Sequence, residues 1–424
     1  MWKKWLFPSI VIIVIVSLIV PYWIGIKAEH EFSNLNQTLP IVGQWHPVGA
    51  NYQRGWFQSQ AQTTFRPEQL NQQYVTLKHD IQHSITPFQP TTIKTTLKTD
   101  TETQSFLQYI FAGRAPFIMK TDVYLTGGTS YLQVAPFSMR QGEQAFIWQG
   151  LQGQVNFGLN GEYLENQFVV PEFSLQTQYG KLELQGIQLN GQAKQNQQLY
   201  VGQLQLQIEK ISAQGSAQLP IQLNKIQIIA NNDLIDEYLD FSVHAEAQDL
   251  QVGQQHYQPH YFDAEVKHIH EPTLTQWRNA IRAYNPQSAA AADWNFMQLT
   301  LLAQYGAALL NHQAEINVSQ FHVQTQAGEL SGQFNLQVAA ENASAPPNIL
   351  NPFGFINRLQ ASISLSVPKN IVEIMMPPEQ KQWLLNNKLL IASQDGYQTQ
   401  LKLNEGFVDA NGTSLPLMQL IWSQ

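Results

Sequence analysis

The sequence predicts a mainly β protein of the α+β class, with a large twisted antiparallel β-sheet domain, a few helices and one preceding transmembrane helix. Three observations favour this fold. Apolar and polar residues alternate over much of the chain, a long apolar run opens it, and only 13% of its 424 residues are charged while 43% are hydrophobic. A polar surface built from uncharged amides suits a sheet with one solvated face better than a bundle held by Glu–Lys pairs.

The N-terminal segment is typical of a membrane anchor that stays attached. Lys3 and Lys4 precede an uncharged apolar run at 5–26, and about 20 apolar residues in a helix cross a hydrocarbon core of about 30 Å. The run lacks the short apolar centre and the small-residue cleavage site of a secretory signal peptide. Because the positive flank is the N-terminal one, we expect a single-pass protein of a bacterial inner membrane, with residues 1–4 in the cytoplasm and the bulk in the periplasm.

Period-two alternation after this run predicts strands. In the segment 203–209, leucines and an isoleucine face one way while glutamines and a glutamate face the other, and the pattern recurs at 182–189, 221–228 and 334–338. Asn-Gly pairs favour the tight turns of hairpins. Three such pairs stand between alternating runs: Asn160-Gly161, Asn190-Gly191 and Asn411-Gly412. The expected architecture is therefore a meander of antiparallel strands.

Helices are expected at few places. Pro272 opens a helix that ends near Ala283, and Asp293 caps a second one at 294–310. A short helix is predicted near 378–391, after a pair of prolines, and another at 103–112.

These elements divide the exported chain into three parts. Residues 27–271 form an N-terminal β-rich periplasmic region and 272–312 a helical insertion. Residues 313–424 form a C-terminal β-rich region that contains the short helix near 378–391.

Composition and motifs exclude several functions. The chain has no cysteine, which rules out disulfides, thiolate catalysis and cysteine-based zinc sites. The exported region has no basic cluster, so no nucleic-acid partner is expected. Hydrolase, metalloprotease, phosphate-loop and dinucleotide signatures are missing. We therefore expect a protein that is not an enzyme and has no cofactor.

Three segments of the sequence are distinctive together. They read NYQRGWFQS at 51–59, HDIQHSITP at 79–87 and LKLNEGFVDANG at 401–412. With an N-terminal anchor and a strand-rich body between them, these segments resemble the YdgA-like family of bacterial envelope proteins. The resemblance implies an inner-membrane-anchored periplasmic protein with a layout similar to that of AsmA-like proteins, some of which are thought to carry lipids along a β-sheet groove. It implies no catalytic residues.

The first two segments supply the candidate binding residues Arg54, Gly55, Trp56, Phe57 and His83. An arginine beside a glycine and aromatic residues can clamp a carboxylate or phosphate through two hydrogen bonds. The alternative is structural, with Arg54 capping carbonyls or stacking on an aromatic ring, Gly55 making a bulge and His83 holding a turn.

The densest ionisable cluster lies at 256–271. Its candidate metal ligands are His256, His260, His268 and His270, since neutral imidazoles bind zinc and copper well. The alternative is that these histidines face solvent on a strand.

Besides a metalloprotein built on these four histidines, two functions remain open at the level of the sequence. The first is a membrane-anchored periplasmic envelope protein that binds or shields a lipid or other amphiphile in a groove of the sheet. The second is a scaffold that binds itself or other envelope proteins through its sheet edges.

Overall fold

The computed structural model describes residues 26, 29, 45–67, 74–86, 89–99, 101–197, 199–215, 219–257, 260–283, 305, 309, 313–325, 328–339 and 358–417. Contacts divide the chain into two compact units, the first formed by 1–195 and 211–218 and the second by 196–210 and 219–424. The predicted anchor at 5–26 lies outside the described residues except for Ile26. Among the helices that are described, none combines the length and the apolar character needed to cross a membrane.

The first unit is an antiparallel sheet with one short helix, α1 (Thr101–Ile110). Its strands are β1 (Trp45–Gln53), β2 (Gln58–Pro67), β3 (Val75–Gln82), β4 (Thr91–Lys98), β5 (Phe117–Tyr124), β6 (Gly127–Val134), β7 (Phe137–Gln141), β8 (Gln144–Trp148), β9 (Leu151–Gly158), β10 (Tyr163–Thr177) and β11 (Gly180–Asn196). Strands β1 to β6 pair in chain order, and β6, β9, β10 and β11 continue the sheet. Strand β8 pairs with β10 beyond the end of β9, and β7 pairs with β8.

The second unit is also antiparallel. Its strands are β12 (Leu199–Gly215, up to Lys210 in this unit), β13 (Ile221–Ile235), β14 (Tyr238–Val252), β15 (Gln255–Tyr257), β16 (His260–His270), β17 (Glu315–Thr325), β18 (Gly328–Val338), β19 (Leu359–Pro368), β20 (Ile391–Ala392), β21 (Gly396–Asn404), β22 (Phe407–Ala410) and β23 (Thr413–Pro416). Strands β13, β14, β16, β17, β18, β19, β21, β22 and β23 pair in that order, while β15 lies beside β14 and β20 beside β21. Its helices are α2 (Glu271–Ala283), α3 (Lys369–Met375) and α4 (Pro378–Asn386).

The prediction of a mainly β, antiparallel protein is confirmed. All four alternating segments lie in strands, namely β11, β12, β13 and β18. The turn predictions at Asn160-Gly161 and Asn411-Gly412 are also confirmed, since both asparagines and both glycines have the positive φ angles that tight turns require.

The third turn prediction is wrong. Asn190 and Gly191 lie inside β11, where they pair with Gln167 and Asn166 of β10. The glycine serves packing here, because a Cβ on Gly191 would lie 2.6 Å from Nδ2 of Asn166.

One helix prediction needs revision, and one helix was not predicted. The helix predicted near 378–391 ends at Asn386, and Ile391 begins β20. The sequence analysis missed α3, which packs with α4 against β21 around the buried side chains of Val372, Leu390 and Tyr397. The helix predicted at 294–310 lies outside the described residues, apart from 305 and 309.

The first unit's sheet has two faces of different character. On the inner face of β2, Ser59, Ala61 and Thr63 are buried, while Gln60 on the outer face is exposed and Gln62 is half-buried. Because register is maintained from β2 through β6, β9 and β10, the whole sheet keeps this division.

Close packing on the inner face depends on one glycine. Gly153 of β9 lies directly opposite Phe168 of β10, and a Cβ on Gly153 would come within 2.3 Å of the phenylalanine ring. Replacing Gly153 by alanine is therefore expected to destabilise this part of the sheet by about 1–3 kcal/mol through overpacking. Amide hydrogen exchange of β9 and β10 measures the loss.

The matched test of this prediction is the same change in a Phe168→Leu background. The smaller side chain leaves room for the new methyl group, so the two substitutions should be less costly together than the sum of their separate effects. Strictly additive effects would show that the ring contact is not the cause.

Candidate functional site

The two N-terminal sequence segments meet in one buried hydrogen-bond network. The Gly55 N–H donates to Ser59 Oγ at 3.2 Å, and Ser59 Oγ lies 2.7 Å from Nε2 of His83. The His83 N–H in turn donates to the Phe57 carbonyl at 2.8 Å. Ser59 and His83 are each only 3% exposed, so the network closes the turn between β1 and β2 against the end of β3.

A second set of contacts continues across the inner face of the sheet. Nε2 of His79 lies 3.0 Å from the Thr63 hydroxyl, and Nδ1 of His79 lies 2.8 Å from the hydroxyl of Thr95, which is fully buried. We call Ser59, His83, Thr63, His79 and Thr95 the histidine ladder. Burial lowers the pKa of His79 and of His83 below the ordinary histidine value, so the ladder favours neutral imidazoles.

The ladder has the character of a structural network. Nδ1 of His83 is buried and has no hydrogen-bond partner within the described part of the chain. Among the described residues, no third group is thus placed to orient the His83 imidazole as in a serine hydrolase triad.

The other candidate residues of this region lie at the surface. Arg54 pairs with Glu29, with 3.1 Å between Nη1 and Oε2. Trp56 and Phe57 are both exposed, and their rings do not join the ladder. The structure thus brings Gly55 and His83 together through Ser59, while Arg54 lies with Gly55 along the cavity described next.

A trough runs over the outer face of the first unit. One end is a cavity of about 910 Å³ and the other a cavity of about 600 Å³, and the two share Ile118 and Lys120 of β5. The larger cavity is also lined by Gln53, Arg54, Gly55, Gln58, Ser59, Gln60, Asp80, Ile81, Gln82, Thr92 and Lys94. The smaller one is also lined by Tyr131, Leu132, Gln133, Gln152, Gly153, Gln154, Gln167 and Val169.

The larger end of the trough is cationic. Lys94 of β4 lies directly opposite Lys120 of β5, and both side chains are exposed. Nζ of Lys120 lies 2.7 Å from Oδ2 of Asp122, and the Thr92 hydroxyl donates to Oδ1 of the same carboxylate at 2.7 Å. Partial burial raises the pKa of Asp122, but these two contacts together lower it more, so that the pKa lies below its usual value. Among the described residues, no carboxylate pairs with Lys94.

The smaller end of the trough has a larger apolar share. Ile118 and Val169 contribute branched aliphatic side chains to the same row of the outer face, with Gln133 and Gln152 between them. Tyr131 is 49% exposed and lies directly opposite Lys120 in the neighbouring row of the lining. Glutamine amides fill the rest of this lining and need no charged partner.

The four candidate metal ligands do not converge. His256 pairs with Asp249, with 3.1 Å between Nδ1 and Oδ1, near the start of β16, whereas His270 at the other end of that strand contacts Thr273. At about 3.3 Å per residue, the eleven-residue strand β16 holds His260 and His270 about 30 Å apart. The described residues contain no group of three or more histidine, aspartate or glutamate side chains arranged for a metal ion.

The remaining two histidines of this set have separate environments. His260 is buried, and burial lowers the pKa of its imidazole. The backbone N–H of His268, which has a positive φ angle, donates to Oδ1 of Asp240 at 2.8 Å.

A cavity of about 770 Å³ lies on the second unit, over β17, β18, β19 and β21. Serine and glutamine side chains dominate its described lining, which includes the pair His322–Glu329 but no lysine or arginine. The trough and this cavity therefore differ in charge.

Sequence reasoning missed Lys94, Lys120 and Ile118. None of them lies in the alternating segments identified in the sequence, and only the register of β4 against β5 makes the two lysines neighbours. The sequence does show two lysines on the polar faces of consecutive strands. This pattern does not predict a pair unless the register of the strands is known.

The chain finds no match among curated proteins or among solved structures. A family model described as a bacterial protein of unknown function (DUF945) matches residues 2–418. The chain therefore belongs to this bacterial family of unknown function.

Proposed function

We propose that this chain is a non-catalytic envelope protein that holds a lipid or other amphiphile in the trough. In this proposal, residues 5–26 anchor it in the bacterial inner membrane and the two β units lie in the periplasm. The observation that carries the proposal is the joining of a cationic cavity and a more apolar cavity through Ile118 and Lys120. An amphiphile has the same succession of a polar and an apolar part.

The dimensions and lining of the trough support this function. Binding sites for small molecules typically have volumes of about 300–1,000 Å³ and combine apolar walls with a few polar groups. Both cavities fall within that range. Because they meet side by side on the sheet, one elongated molecule can occupy both.

The resemblance to the YdgA-like family and to the AsmA-like layout supports the same location and the same kind of ligand. This support is an analogy of architecture, so the argument for function rests on the trough itself.

Site-specific photocrosslinking in cells tests the proposal with the full chain. A benzophenone amino acid replaces Tyr131, which lines the smaller cavity directly opposite Lys120. After irradiation, the expected result is a peptide containing position 131 that carries the mass of an amphiphile. The matched control places the same probe at Tyr179, which is 75% exposed in the turn between β10 and β11 and lies outside the trough.

Two outcomes contradict the proposal. An amphiphile adduct at position 179 as strong as that at 131 would show unspecific labelling by the membrane. A peptide adduct at position 131, from a second copy or from another envelope protein, would instead favour the scaffold function through protein contacts.

A further inference from the structure

We propose that Lys94 and Lys120 hold an anionic head group, a carboxylate or a phosphate, of the amphiphile in the trough. This inference rests on the proposed function and adds the charge and the orientation of the ligand. The head group lies in the larger cavity, and the chain passes Ile118 toward Tyr131 and Val169 in the smaller one.

Two like charges, Lys94 and Lys120, lie directly opposite each other in the larger cavity. Lys94 and Lys120 form a cross-strand pair, and residues so placed have Cβ atoms about 5 Å apart. Two ammonium groups in this position repel each other and destabilise the pairing. An anion between them converts the repulsion into two attractive contacts.

The carboxylates near the two lysines, Asp122 and Asp80, form ion pairs and hydrogen bonds of their own. Asp122 pairs with Lys120 and accepts a hydrogen bond from Thr92, and within the described residues no carboxylate lies at ion-pair distance from Lys94. Asp80, the one carboxylate in the described lining of the larger cavity, lies directly opposite Lys94 on β3, and its Oδ1 is 3.0 Å from Nζ of Lys78. The two carboxylates Asp80 and Asp122 thus face the three lysines Lys78, Lys94 and Lys120, and one positive charge is left over.

The charge of the lining decreases from the larger cavity to the smaller one. Arg54 adds a cation to the lining of the larger cavity, and the described lining of the smaller cavity contains only Lys120 as a charged group. Ile118 lies next to Lys120 in both cavities on the same face of β5. A charged head group thus lies at one end, and the apolar part begins one side chain away.

The same photocrosslinking site allows this charge preference to be measured. The full chain with the benzophenone probe at position 131 is placed in nanodiscs of phosphatidylcholine and exposed separately to dodecyl phosphate, dodecanoate and dodecyltrimethylammonium. We expect the two anionic probes to be captured at least tenfold more than the cationic one. The Lys94→Gln, Lys120→Gln double variant should lose this preference, because hydrogen bonds to charged groups are stronger than neutral ones.

The matched control is Lys98→Gln. Lys98 lies on the same strand and the same face as Lys94, but it donates to Gln62 and is not part of the trough lining. Capture by this variant should equal that of the unchanged chain. The double variant loses the exposed Lys120–Asp122 ion pair, which contributes little to stability, and Asp122 keeps its hydrogen bond from Thr92, so a folded double variant is expected.

The outcomes separate the inference from the function on which it rests. Equal capture of anionic and cationic probes, unchanged in the double variant, would overturn the head-group inference and leave amphiphile binding in place. No capture of any probe would overturn both. Displacement of dodecyl phosphate by equimolar inorganic phosphate would show a site for free anions and would also overturn the inference.

Discussion

Replacing Gly55 by alanine is expected to destabilise the first unit by about 3 kcal/mol, the upper range for overpacking. A Cβ on Gly55 would lie 2.2 Å from the carbonyl oxygen of Gln58, a backbone atom that cannot rotate away. The turn between β1 and β2 must then open, which pulls Ser59 away from the Gly55 N–H and disturbs its contact with His83. Hydrogen exchange of the amides of β2 and β3 measures this loss.

The control for this prediction is Gly49→Ala in the neighbouring strand β1. No atom lies within 4 Å of the Cβ that this change adds, so hydrogen exchange in β2 and β3 should stay close to that of the unchanged chain. If both variants behave alike, the contact with Gln58 does not explain the requirement for glycine at position 55.

Acidification from pH 7.5 to 5.5 is expected to weaken the first unit through the histidine ladder. Burial lowers the pKa of His79 and His83 in the folded chain, whereas in the unfolded chain both keep the ordinary value of about 6.5. The unfolded state therefore binds more protons in this range. The stability due to the neutral imidazoles is complete above pH 6.5 and is lost as the pH falls toward the lowered folded values.

Variants of single histidines test the source of this pH dependence. His79→Gln keeps a side chain that can bond to the Thr63 and Thr95 hydroxyls but cannot be protonated, so the loss of protection in β2 to β4 between pH 7.5 and 5.5 should shrink. His256→Gln is the control, because the side chain of His256 is 58% exposed in the second unit. Asp122 does not interfere, since its lowered pKa places its loss of stability in more acidic solution. An unchanged pH dependence in His79→Gln would contradict the role of His79.

The strand-rich fold is predictable because alternation is a local signal. One short segment, with Leu204, Leu206 and Ile208, is enough to show the alternation of a strand. Two residues, Asn411-Gly412, are enough to indicate a turn. The turn prediction at Gly191 was wrong because the sequence alone does not distinguish a glycine in a turn from a glycine that leaves room for a side chain of the next strand. The helix Lys369–Met375 was missed because its seven residues are too few for a clear period.

The candidate site was predictable only in part. Gly55 and His83 were singled out by their segments, but their link through Ser59 appears only when β2 pairs with β3. Lys94 and Lys120 become a pair only through the register of β4 with β5. The four histidines proposed as metal ligands are close in sequence but do not converge in the structure, because residues on one face of an extended strand move more than about 6 Å apart for every two residues.

The alternation of faces on β4 has a consequence for how this family can change. Thr95 belongs to the histidine ladder, and its neighbour Lys94 belongs to the trough. Because a shift of one residue would exchange the two faces, insertions and deletions in this strand should be selected against. Substitutions on the outer face leave the ladder intact. Related chains are thus free to acquire new ligand preferences by single replacements in the trough while they inherit the same scaffold.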